Sequence, residues 1–179
     1  MDINEVHLIC FSPTRTSKQV GEAIVRGAGL TNFITTDLTL HTAEVNIAEN
    51  TLTVIAVPVY GGKVAPLAME RLQGIHASGA PVVLVVVYGN RAYEKALMEL
   101  DAFAAAQGFK VIAGATFVGE HSYSTEQYPV AAGRPDTYDL QYAEEFGAKL
   151  RTKINAAADM EHLNTVDVKR IKRPSQPFL

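Results

Sequence analysis

Apolar residues in this chain fall into short unbroken runs, separated by segments in which they recur every three or four positions. Residues 6–11, Val-His-Leu-Ile-Cys-Phe, predict a first strand, and residues 17–28 predict a helix after it. Residues 32–36 predict a short second strand, residues 52–57 a third, and Pro66–Leu72 a helix. Pro81–Tyr88, with its Val-Val-Leu-Val-Val-Val run, is the strongest strand signal in the chain. A helix over 92–107 closes at Gly108, a fifth strand covers 110–117, and a final helix covers 138–157. Runs that are apolar throughout, without alternation, indicate strands buried on both faces, as in a parallel sheet. Five strands alternating with helices predict an α/β fold, a three-layer doubly wound sandwich around a five-stranded parallel sheet. Such folds bind ligands beyond the carboxyl ends of the strands, where the strand order reverses.

The length of 179 residues suits one domain, predicted over residues 1–158, with 159–179 as a C-terminal tail or linker. A chain 47% hydrophobic and 20% charged belongs with globular rather than disordered proteins. Its net charge is −3, but Lys169, Arg170, Lys172 and Arg173 cluster near the end, and setting those four aside leaves the body at −7. An acidic body argues against nucleic-acid binding. The single cysteine, Cys10, excludes an intrachain disulfide and a cysteine-ligated iron–sulfur cluster. It falls inside the first strand and reads as a buried, inert thiol. The five histidines show no metal-ligand spacing, so no metal site is predicted. The acidic start lacks the form of a signal peptide, and no apolar run is long enough to cross a bilayer. The expectation is a cytoplasmic protein without membrane contact.

One stretch asks for an explanation. In Phe11-Ser12-Pro13-Thr14-Arg15-Thr16-Ser17-Lys18, four hydroxyl side chains occupy six consecutive positions between the first strand and the first helix. The amides at a helix start are unsatisfied and the helix dipole favours an anion there. Hydroxyls add neutral donors around such an anion, and Arg15 and Lys18 would add charge. One helix cap would account for one hydroxyl, not for four. A Walker-type loop is excluded because the glycine–lysine pair with its spacing is missing. Two other segments follow strands: Tyr88-Gly89-Asn90-Arg91, and Gly119-Glu120-His121-Ser122-Tyr123, which opens a long loop to Pro135. A long loop beside a strand's carboxyl end is often functional.

Residues 12–17 resemble the phosphate loop of the flavodoxin family, Ser/Thr-x-Thr-Gly-x-Thr, with Arg15 where the family has glycine. Pro58-Val59-Tyr60-Gly61-Gly62 resembles the family's first flavin loop, and Tyr88-Gly89-Asn90-Arg91-Ala92-Tyr93 its second. Together with Gly133-Arg134-Pro135-Asp136, the chain resembles the flavodoxin-like half of proteins that join such a domain to a C-terminal ferredoxin. The resemblance covers about residues 3–157. It implies FMN as cofactor and strand order 2-1-3-4-5. It also implies binding residues Ser12, Pro13, Thr14, Arg15, Thr16, Ser17, Pro58, Val59, Tyr60, Gly61, Gly62, Tyr88, Gly89, Asn90, Arg91, Tyr93 and His121. Arg15 fits that loop if its φ is negative; otherwise the loop is reshaped. Tyr60 would stack on the isoalloxazine ring, and the Gly61-Gly62 pair either permits a peptide flip towards flavin N5 or simply makes a turn. Arg91 either approaches flavin N1 and raises its potential, or points to solvent and pairs with Glu94. His121 either joins the site or is an ordinary loop histidine.

No catalytic triad or carboxylate pair is present, so the chemistry is expected to be the cofactor's. The primary reading is an FMN-bound electron carrier; the alternative is an NAD(P)H-dependent FMN or quinone reductase, with the 120–135 loop over a substrate. A flavin-free signalling receiver is excluded, because Ser12-Pro13 and Pro58-Val59 stand where an acidic pair and an aspartate are needed. The expected partner is a redox protein: a separate one, such as a ferredoxin, met in a transient encounter, or a ferredoxin domain to which the basic, proline-containing end would be a linker. The latter is favoured.

Overall fold

The computed structural model describes residues 3, 5–30 and 33–171. The elements are β1 (Glu5–Cys10), α1 (Thr16–Gly27), β2 (Phe33–Asp37), β3 (Val45–Ile47), β4 (Thr51–Tyr60), β5 (Lys63–Val64) and α2 (Pro66–Leu72). They continue with β6 (Ile75–Ala77), β7 (Pro81–Tyr88), α3 (Ala96–Ala106), β8 (Lys110–Val118) and α4 (Thr137–Ala156). Five parallel strands run in the order β2-β1-β4-β7-β8, which is the expected 2-1-3-4-5. Two features depart from the expectation. The short β5 folds back antiparallel onto β4 and makes a sixth strand, and β3 pairs with β6 in a separate two-stranded sheet. The second strand was expected from Asn32, which lies outside the described residues.

The sheet buries both faces, which is why its strands carry no alternation. Leu8, Val54 and Val85 face α1 and α4, meeting Val20, Ile24, Leu150 and Ile154. Ile9, Ile55 and Leu84 face α2 and α3, meeting Leu72, Leu100 and Phe103. No helix follows β2. Ile47 and Ile75 of the β3–β6 pair cover that part of the core instead. On the other face, α1 and α4 cross through glycines: a Cβ on Gly147 would lie 2.1 Å from the Ile24 carbonyl oxygen, and one on Gly27 1.9 Å from that of Glu144.

Residues 159–171, read from the sequence as the start of a tail, run around the edge of β8. Leu163 is buried on the α1–α4 face, the Val166 N–H donates to the Val111 carbonyl (3.1 Å), and Val168 is buried on the opposite face. An edge strand is thereby covered, as parallel sheets require. Lys172 and Arg173 lie outside the described residues. Among the described residues, no helix is long and apolar enough to cross a membrane.

Candidate functional site

A cleft of about 480 Å³ opens beyond the carboxyl ends of β1, β4, β7 and β8. It straddles the place where the chain passes outward from β1 to β2 and then returns to β4, the reversal point at which such sheets bind ligands.

The hydroxyl loop forms one end. Ser12 Oγ accepts the Lys18 N–H at 3.1 Å, so its own proton is left to donate, while the Ser12 N–H donates to Thr39 Oγ1 at 2.9 Å. The Thr14 and Thr16 hydroxyl oxygens lie 3.3 Å apart. Ser17 is fully buried and its Oγ has no hydrogen-bond partner among the described residues. Ser12, Thr14, Thr16 and Ser17 all line the cleft at the start of α1. A buried hydroxyl without a partner is costly, and an anion at this helix start would satisfy it. The residues therefore fit a phosphate.

The positive charges expected here are elsewhere. Lys18 lies 3.2 Å from Asp37, and this hydrogen bond raises its pKa. Arg15 is exposed and is not part of the cleft wall. Its φ is +66°, not negative: an arginine holds the left-handed conformation suited to glycine. The donors that line this end of the cleft are neutral.

Pro58, Val59 and Tyr60 form a second wall, with Tyr60 half exposed at the end of β4. Gly61 and Gly62 do not line the cleft. At φ values of +59° and +78° they make the two-residue turn between β4 and β5, where Tyr60 pairs with Lys63. The turn is braced from α3's approach, since the Gly62 carbonyl accepts the Lys95 N–H at 2.9 Å.

Tyr88 and Gly89 form the floor at the end of β7. Asn90, Arg91 and Tyr93 lie outside the wall. Tyr93 packs edge-on against Tyr88 with ring centroids 5.6 Å apart, and its hydroxyl donates to the Ile171 carbonyl at 2.9 Å. Asn90 sits at φ +60°, in a tight turn. Arg91 reaches Glu94 at 3.2 Å with its side chain 80% exposed, which is the solvent-pairing alternative.

The long loop is an ordered wall. Glu120 N–H donates to the Arg134 carbonyl (2.8 Å), His121 N–H to that of Val130 (3.1 Å), and Gly133 N–H to Glu120 Oε2 (3.0 Å). Arg134 binds the Asp139 carboxylate with two nitrogens, which raises its pKa, and Asp136 caps α4. The His121 ring lies against Gly89, where a Cβ would be 2.3 Å from Cδ2. Its Nδ1 accepts the Tyr123 N–H at 3.0 Å, leaving the proton on Nε2. Eight wall residues stand outside the binding set named from the sequence: Gln19 and Val87, which it did not single out, and Gly119, Glu120, Ser122, Gly133, Arg134 and Pro135, which fall in the stretches it marked at 119–123 and 133–136. The signal for most of them was the length of this loop. Cys10 is buried and its thiol is pushed up to about 12 by burial, with Asp37 adding to the effect. It is not a nucleophile.

No protein-family model matches the chain, and no curated protein matches it. Solved structures do. A flavodoxin from the domain Archaea matches at 13% identity and TM-score 0.51, over 84% of this chain and 99% of its own. Flavodoxin 1 from Bacillus cereus matches at 12% identity and TM-score 0.56, over 83% and 97%. The fold is that of the flavodoxins. A protein described as a flavone reductase matches at 12% identity and TM-score 0.61, over 90% of this chain and 66% of its own.

Proposed function

We propose that the cleft holds FMN and that the protein carries electrons between redox partners. The observation that carries this is Ser17, a fully buried hydroxyl without a partner among the described residues, at a helix start that three other hydroxyls share. In this reading residues 12–17 hold the phosphate through hydroxyl and amide donors, and Tyr60, Tyr88, Gly89 and His121 enclose the ring. FMN supplies the electron chemistry, and the protein supplies position, exclusion of water and hydrogen bonds. Tyr60 offers a flat face worth about 1 kcal/mol beyond its buried area. His121 offers an N–H donor from Nε2, since its Nδ1 accepts the Tyr123 N–H. With no carboxylate pair or activated nucleophile lining the cleft, no side chain takes on covalent chemistry.

The natural partner is a ferredoxin, separate or joined through the C-terminal end; the likeness to ferredoxin-fused proteins in residues 12–17, 58–62 and 88–93 supports this. A second reading, an NAD(P)H-dependent FMN or quinone reductase, is favoured by one observation: the 119–135 loop is an ordered wall of the cleft, which a simple carrier does not need.

Titration with FMN and with riboflavin tests the first reading. Alanine at both Thr14 and Thr16 should weaken FMN far more than riboflavin, and an equal loss for both would overturn the phosphate assignment. Anaerobic mixing of NADH or NADPH with the FMN-loaded protein separates the two functions: stoichiometric bleaching of the flavin by one equivalent of either nucleotide identifies a reductase, and a flavin that stays oxidised a carrier.

A further inference from the structure

Arg71 stands outside the cleft, in the last turn of α2, and its charge meets no carboxylate among the described residues. Instead its Nη1 donates to two backbone carbonyls just past β2, that of Leu38 at 2.7 Å and that of Thr39, and its guanidinium lies 5.8 Å from the centre of the Phe11 ring. In the segment it grips Leu38 is buried in the core and Thr39 half-buried, while Leu40 is 76% accessible. Thr39 is held from both sides, because its N–H also donates to Asp37 Oδ1 at 3.0 Å. The Thr39 hydroxyl bonds the Asp37 carboxylate as well, and it accepts the Ser12 N–H at 2.9 Å. Ser12 Oγ in turn accepts the Lys18 N–H, which leaves its own proton free to donate.

We propose that Arg71 is a positioning residue for the anion end of the cleft, acting through Thr39 on Ser12. This rests on the FMN reading and names the device that fixes its phosphate loop. A half-buried cation bonded to neutral carbonyls is an expensive anchor for a turn that the buried Leu38 already holds. The relay it completes gives that cation a role: Arg71 fixes the Thr39 backbone, Thr39 fixes the Ser12 amide, and Ser12 keeps its hydroxyl proton directed at the ligand. Only the phosphate meets residues 12–17, so the relay separates FMN from riboflavin rather than strengthening both.

The test measures FMN and riboflavin dissociation constants by fluorescence quenching for the wild type, Arg71→Met, Arg71→Lys, Thr39→Val and the double variant Arg71→Met/Thr39→Val. Arg71→Met and Thr39→Val should each weaken FMN roughly fivefold to tenfold, the effect of one lost hydrogen bond, and leave riboflavin unchanged. The double variant should be no worse than Thr39→Val, because both cut the same chain, and Arg71→Lys should recover most of the affinity. Equal losses for both ligands, additive losses, or an unchanged ratio would overturn the inference. Should Arg71→Met fail to fold, Thr39→Val and Arg71→Lys decide by the same ratio. A wild type that takes up no FMN defeats the functional reading itself, whereas a wild type that binds FMN with an unaltered ratio in the variants defeats only the role of Arg71.

Discussion

Replacing Ser17 by alanine should make the ligand-free protein more stable and the FMN complex weaker. Ser17 Oγ is fully buried and unbonded among the described residues. Leaving such a group unpaired costs about 1–3 kcal/mol, which alanine removes along with the oxygen. Alanine also suits the second position of α1 better by about 0.5 kcal/mol, while the void left by one atom works the other way. The net gain should be about 1–2 kcal/mol, or about 2–4 °C in melting temperature for each kcal/mol at this chain length. With FMN the sign reverses, because a hydrogen bond to a charged oxygen contributes about 1.5–3 kcal/mol. Affinity should fall roughly tenfold to a hundredfold, with riboflavin unaffected. Urea unfolding of the ligand-free protein and fluorescence titration give the two numbers. A less stable apoprotein, or an unchanged FMN affinity, would refute the claim that this hydroxyl waits for a ligand.

Arg15→Gly should stabilise the protein by about 1 kcal/mol over Arg15→Ala, because both shed the side chain but only glycine relieves the +66° φ; equal urea midpoints would show that the turn is unstrained. Gly147→Ala should lower stability by about 3 kcal/mol, since the new Cβ meets the Ile24 carbonyl of the neighbouring helix at 2.1 Å and backbone cannot step aside. A loss under about 1 kcal/mol, measured by urea unfolding, would mean the helices separate easily. Burial pushes the Asp37 carboxyl up, but the hydrogen bonds from Thr39 and Lys18 outweigh it and hold the group below its ordinary value of 3.8. Its contribution is therefore present above pH 3.8 and lost as pH falls through the lowered value. Asp37→Asn should flatten the acid limb of the stability curve below that pH, and an identical limb would exclude this group as its source.

Some of this molecule was legible because burial is written into composition. Pro81–Tyr88 is apolar at every position and is an interior strand between β4 and β8, with the bounds its sequence implies. Pro66–Leu72 begins at a proline suited to a helix's first turn and also has the implied bounds. The helix expected from residue 92 starts instead at Ala96, because Asn90 and Glu94 take positive φ, which no helix can pass through. That depends on the contacts around the β4–β5 turn, not on local propensity. The strands β3 and β6 have three residues each, too few to show a period, and they exist because each pairs with the other over an open part of the core. At the site, the hydroxyl run and the chain ends of β4 and β7 could be read directly. The fate of each charge could not. Arg91, Arg15 and Lys18 each had an attractive place beside a ligand, and each is exposed or bound to a nearby carboxylate. The distal loop was visible as a long loop, but bonds between residues more than ten positions apart make it a wall.

Equilibrium binding of FMN, riboflavin and FAD to the purified protein tests the central claim most directly. The account predicts one FMN bound per chain, with riboflavin weaker by at least about tenfold because it lacks the group that residues 12–17 receive. FAD should bind less well than FMN, since the anion end of the cleft is built around a single terminal phosphate. Riboflavin binding as tightly as FMN, or no uptake of FMN at all, would contradict it.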